Sequence, residues 1–183
     1  MLKIEDELDD YLSFNIKFSS NSRRAWLVQP HLILKLETKF GEQVQKLQNY
    51  KTPGTPSLNL VCNTEPHLAL SKELHKKFCS GVGMLLWLVK HSWPDIANCV
   101  RELSKVLDGT TEAAYKKMLR VIKYVPDTKN LGLKIKPTEG RNTPWDLVCF
   151  SDSNYAGNPE TRRSVSGYIL YIKGVPVAWR SKR

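Results

Sequence analysis

The sequence is short of several things, and each shortage excludes a class of protein. Its longest apolar run, Met84 to Val89, falls far below the 18 or more residues that span a bilayer, and no charged-then-apolar leader opens the chain. The reading is therefore of an intracellular protein with no membrane partner. Cysteines number four, at 62, 79, 99 and 149, with no CxxC pair and no even ladder of spacings. That excludes a secreted disulfide scaffold and favours reduced thiols. No internal repeat or low-complexity tract is present. Acidic residues are also scarce, 18 against 28 Lys and Arg, which gives a formal charge of +10 and a pI near 9.5. The first ten residues hold five acids and one lysine, a local −4, so the rest of the chain carries +14. A polyanion such as nucleic acid is the partner this balance implies. Apolar residues make up 41% and charged residues 25%, ordinary values for a chain that folds.

Hydrophobic spacing predicts a mixed α+β chain. Leu12, Phe14, Ile16 and Phe18 alternate as in a half-buried strand, and Ala25 to Gln29 follows a turn-forming run as its hairpin partner. Pro30 suits the first turn of a helix with Leu32, Ile33, Leu36 and Phe40 on its apolar side, which Gly41 would end. Lys51 to Ser57, with two prolines around a glycine, reads as a linker or extended loop. Three helices are expected between Ser71 and Val125. The first carries Leu74, Phe78, Val82, Leu85, Leu86 and Val89; the second opens at Pro94 with Ile96, Val100, Leu103 and Leu107; the third is capped by Thr110 or Thr111. After Pro126, segments 131–136, 147–151, 165–173 and 176–179 have strand character, with Lys173-Gly174 as a hairpin turn. Strands with no following helix would leave one sheet face uncovered.

Few motifs carry chemistry by themselves. Asp152, in Phe150-Ser151-Asp152-Ser153-Asn154-Tyr155-Ala156-Gly157, ends an apolar strand, where a carboxylate either holds a divalent cation or simply forms a turn. Lys116, Arg120 and Lys123, with Lys117 beside them, make a stripe opposite the apolar face of the third helix. It is either a phosphate track or a solvated face, and Arg162 and Arg163 pose the same choice. Cys62, His67, His75 and Cys79 match no closed zinc site, and Gly81-Val82-Gly83 reads as close helix packing rather than a dinucleotide loop. The five tryptophans (26, 87, 93, 145, 179) suit core or interface packing better than base stacking.

A resemblance joins these pieces. Phe150 to Gly157, then Arg162-Arg163-Ser164-Val165-Ser166-Gly167-Tyr168, then Ala178-Trp179-Arg180-Ser181-Lys182 resemble the start of the ribonuclease H domain in copia-type LTR retrotransposon polyproteins. The usual text there is Y-S-D-A-D-W-A-G, R-R-S-T-S-G-Y and S-W-x-S-K. Upstream, Ser80 to Leu88, Trp93-Pro94-Asp95-Ile96, Val100 to Ser104 and Leu119 to Tyr124 resemble that family's stretch between reverse transcriptase and ribonuclease H. Asp10 to Ile16 and Thr52-Pro53 resemble its Y-F-L-G-I-E-I strand and T-P-M loop. The ordered set covers nearly the whole chain.

The resemblance implies four stretches: the end of a reverse transcriptase palm/thumb-like region at 1–50, a linker at 51–70, a helical connection region at 71–126, and the first antiparallel strands of an incomplete ribonuclease-H-like domain at 127–183. It also implies a parent activity of RNA-directed DNA synthesis coupled to hydrolysis of RNA in an RNA/DNA hybrid, with Mg2+. Asp152 matches the family's first metal-binding carboxylate and is the one catalytic and metal-ligating candidate. Partners would be an RNA/DNA hybrid or duplex and the rest of the Pol polyprotein, in cytoplasmic virus-like particles or the nucleus. The sequence departs from the family at Asn154, Tyr155 and Trp93, where an acid, a tryptophan and an arginine are usual. Glu7-Leu8-Asp9-Asp10 imitates the polymerase Y-x-D-D but precedes a strand that in the family comes well after it. A two-metal nuclease needs several carboxylates around ions roughly 3.5 to 4 Å apart. The expectation is therefore a fragment that is inert alone, or alternatively a non-enzymatic basic nucleic-acid-binding module or a remnant.

Overall fold

Period-two alternation produces the first hairpin. Strands β1 (Asn15–Phe18) and β2 (Ala25–Val28) pair antiparallel with Phe18 opposite Ala25. The turn is set by Asn21, whose Oδ1 accepts from Ser19 Oγ at 2.7 Å and from the Arg23 amide at 3.2 Å. The computed structural model describes residues 14–21, 23–56, 58–129, 132–137, 146–156 and 162–182. The acidic lead-in, the start of the expected first strand, Leu131 and Trp145 lie outside these.

Helix α1 (Pro30–Val44) starts on its proline and buries Ile33, Leu36, Phe40 and Val44. Gly41 does not end it: the helix runs on because Val44 joins the core, and packing outweighs a glycine penalty of about 1 kcal/mol. Helix α2 (Lys72–His91) begins where Ser71 Oγ accepts from the Leu74 amide at 3.3 Å. Pro94 opens a short 3-10 turn (Pro94–Ile96) that leads into α3 (Ala97–Ser104). Helix α4 (Glu112–Asp127) is capped by Thr111, the second of the two predicted threonines, and incorporates Pro126 in its last turn.

The core lies where these helices meet. Phe78, Val82, Leu85 and Leu88 of α2 are fully buried against Leu36 and Phe40 of α1, Val100 and Leu103 of α3, and Met118 and Ile122 of α4. Each such side chain contributes about 1.5 to 3 kcal/mol over an exposed one. Gly81 allows the approach, since a Cβ there would sit 2.6 Å from Met118 Sδ and 3.1 Å from the Phe40 ring. Gly83 faces open space, so only the first glycine of the pair has a packing role.

The remaining strands divide between two sheets. Strand β3 (Leu133–Ile135) pairs with β2, giving a three-stranded sheet ordered β1-β2-β3, so this segment does not join the strands that follow it in sequence. Strands β4 (Leu147–Asn154), β5 (Val165–Ile172) and β6 (Val175–Lys182) form a second antiparallel sheet in that order. Lys173 and Gly174, at φ 49° and 76°, make its last turn, and two consecutive positive φ values match the twist of a tight hairpin. The architecture is thus mixed α and β, with four helices and two antiparallel three-stranded sheets among the described residues. Trp179 fastens the second sheet to the helices by donating from Nε1 to the Val89 carbonyl at 2.6 Å. On the sheet's other face Leu147 is 64% exposed and Cys149 is also exposed.

Candidate nucleic-acid interface

Strand alternation decides where Asp152 looks. In the β4–β5–β6 register, Phe150 lies opposite Ile169, which lies opposite Trp179; two positions on, Asp152 lies opposite Gly167 and Gly167 opposite Ser181. Cross-strand partners share a face. Because Trp179 contacts α2, Asp152 stands on the face turned toward the helices. Its neighbour Gly167 has no side chain, so the space above the carboxylate stays open. Asn154, two residues along the same strand, occupies the same face.

That face borders a cleft of about 740 Å³, which Asp152, Asn154 and Ser181 line from the sheet and Asn98, Arg101 and Lys105 line from α3. Its helical wall is built on Glu102, which is only 2% exposed. Glu102 Oε1 lies 2.8 Å from Arg101 Nη2, and Oε2 lies 2.6 Å from Lys105 Nζ and accepts from the Leu60 amide at 3.1 Å. One carboxylate thus serves two cations and one backbone donor. A buried charge persists only with such partners. Arg101 Nη2 also donates to Asn98 Oδ1 at 2.5 Å, whereas its Nε and Nη1 are buried with no partner among the described residues. None of this wall was singled out in the sequence. The one available signal was an ionic run, Arg101-Glu102 with Lys105, around an amphipathic stripe.

The basic stripe on α4 is present, and its members have partners within the chain. Lys116 pairs with Glu112 at 2.7 Å and Lys123 with Asp127 at 2.9 Å. Lys117 Nζ lies 3.5 Å from Thr55 Oγ1. Arg120 stacks 4.1 Å over the Tyr50 ring and donates to the carbonyls of Thr52 and Gly54 at 3.2 and 3.1 Å. The proline-rich loop is thereby strapped to α4. Arg162, at φ 52°, and Arg163 are exposed just before β5.

Other candidates are accounted for by packing. His75 Nε2 lies 2.6 Å from the Leu107 carbonyl and 3.7 Å from Cys79 Sγ. Among the described residues no group of three or more His, Cys, Asp or Glu is placed to hold a metal ion. Trp93 is in the core, while Trp87 is 45% exposed and packs at a tilt against His91, with ring centroids 4.5 Å apart. Burial raises the Cys99 thiol above its usual range, and Tyr124 is pushed up to about 12, first by burial and then by donating to Asp95 Oδ2 at 2.7 Å. No helix among the described residues is long and apolar enough to cross a membrane.

No protein-family model matches the chain, and no solved structure matches it. Curated proteins do. The chain is 34% identical over 106 residues to secreted RxLR effector protein 161 of Plasmopara viticola, covering 58% of this chain and 72% of that one. It is 31% identical over 102 residues to the retrovirus-related Pol polyprotein from transposon RE1 of Arabidopsis thaliana, covering 56% of this chain and 7% of the polyprotein. A putative transposon Ty5-1 protein of Saccharomyces cerevisiae is 27% identical over 177 residues, which is 97% of this chain and 54% of that protein. The chain thus spans about half of the yeast relative and a small share of the plant polyprotein. The chain is thus similar to parts of retrotransposon Pol polyproteins, in line with the copia-type resemblance that its motifs carry.

Proposed function

We propose that this chain is the part of a Pol polyprotein that leads from the end of the reverse transcriptase through the helical connection region into the opening strands of a ribonuclease-H-like domain. Its role is to hold an RNA/DNA hybrid, without cleaving it by itself. The observation that carries the reading is the position of Asp152, an exposed carboxylate at the edge of a polar cleft whose other wall carries Arg101 and Lys105. The basic body, with Arg162 and Arg163 exposed beside the same sheet, supplies the sequence-independent attraction to phosphates.

Whether the donors suit magnesium is a matter of counting. Mg2+ takes six oxygens, commonly one or two carboxylates with water and substrate phosphate. Asp152 and Asn154 offer one carboxylate and one amide oxygen on a shared face. They fit a single weakly held ion and do not fit the pair that phosphodiester hydrolysis requires, so no cleavage step is assigned to this chain.

The test is incubation of the purified chain with a labelled RNA/DNA hybrid and magnesium, read both by gel and by anisotropy. The RNA is expected to stay intact while the hybrid binds with an affinity that falls steeply as salt rises. RNA cleavage that Asp152→Asn abolishes would refute the inert reading, and affinity indifferent to salt would refute the phosphate-holding one.

A further inference from the structure

We propose that the cleft between α3 and the β4–β5–β6 sheet is a phosphodiester site, with Arg101 as the group that anchors the nucleic-acid backbone. The inference rests on the hybrid-holding reading above and adds to it a specific residue and ligand chemistry.

Charge is the first support. Glu102 is shared by Arg101 and Lys105, two cations to one acid, so the helical wall of the cleft keeps an excess of about one positive charge, the complement of a single phosphodiester. Hydrogen bonding is the second. The Arg101 side chain is 14% exposed, yet Nε and Nη1 make no bond to any group of the described residues. Buried donors left without a partner are rare in folded proteins and costly. An outward swing of the guanidinium on its flexible stem would exchange unbonded positions for phosphate oxygens, to which arginine bonds in a planar fork. Size and lining are the third. A volume of about 740 Å³ admits a nucleotide unit, and Asn59, Asn98, Asn154, Thr55 and Ser181 offer neutral polar contacts for sugar and phosphate. Asp152 on the opposite wall repels a bare phosphate, so the strand should lie toward α3.

The experiment measures the affinity of the full chain for a fluorescein-labelled RNA/DNA hybrid across a salt series, without magnesium. Arg101→Gln is expected to weaken binding about tenfold at low salt and to lower the slope of log affinity against log salt by about 0.9, the value of one phosphate contact. Asn98→Asp leaves the Arg101–Glu102 pair in place and adds a negative charge at the cleft wall. It should weaken binding in the same direction even if Arg101→Gln proves unstable. Lys76→Gln, which removes an exposed cation from α2, should change affinity less than twofold. If the unaltered chain binds hybrid with a steep salt dependence while Arg101→Gln and Asn98→Asp both stay within twofold of it, this site is wrong and the broader reading survives. Failure of the unaltered chain to bind overturns the broader reading, and this one with it.

Discussion

Replacing Glu102 tests how the helical wall of the cleft is held. In Glu102→Ala, Arg101 and Lys105, whose side chains are 14% and 9% exposed, lose their common counter-charge, and the Leu60 amide loses its acceptor. Breaking a buried ion pair by removing one partner costs about 3 to 5 kcal/mol, and an orphaned buried donor about 1 to 3. These losses overlap, because Lys105 already reaches Asn59 Oδ1 at 3.3 Å and would move outward toward water. The expected net loss is therefore about 3 kcal/mol. For a domain whose total stability lies at about 5 to 15 kcal/mol, that is a large fraction. Urea unfolding followed by circular dichroism should show an earlier midpoint with an unchanged slope, and the melting temperature should drop by roughly 6 to 12 °C. Glu102→Gln, which preserves shape and one acceptor, should lose less. A loss under about 1 kcal/mol for Glu102→Ala would refute the reasoning, because it would mean that water already shares this site and the two cations do not depend on the carboxylate.

Two further outcomes follow from the titratable groups. Cys149 is exposed and Cys99 is buried with its thiol raised by desolvation, so a thiol reagent near neutral pH should modify Cys149 rapidly and Cys99 only on unfolding; mass spectrometry of the labelled peptides checks the order. Tyr124, at about 12 in the folded chain, favours the neutral phenol there. Its stabilising contribution is complete below the unfolded value of about 10 and is lost as pH climbs from about 10 toward 12. Stability measured across that window should fall less steeply for Tyr124→Phe, and equal slopes would contradict the assignment.

The sequence by itself determined the parts governed by local rules. Periodic apolar residues and capping side chains located α2 and α4 within a residue or two, and the amphipathic pattern marked their buried faces before any neighbour was known. Lys173-Gly174 announced its turn because few residue pairs tolerate two positive φ values. The ordered motifs carried the resemblance for the same reason: each is a short local text, and their sequence along the chain is specific.

Tertiary structure decided everything that needed a partner distant in the chain. Leu133–Ile135 has strand character wherever it pairs, and only the fold sends it to β2 rather than to the strands that follow. The continuation of α1 past Gly41 depends on what Val44 meets. A basic stripe reads alike whether its charges face phosphate or protein, and only the fold strapped Arg120 to Tyr50 and the loop carbonyls. The cleft is the clearest case. Glu102 and Asp152 lie fifty residues apart, and no local propensity says that a buried carboxylate on a helix will hold one wall while an exposed one on a strand faces it. Local sequence sets the shape of a segment, but charges from separate segments come to face one another only when folding brings those segments together.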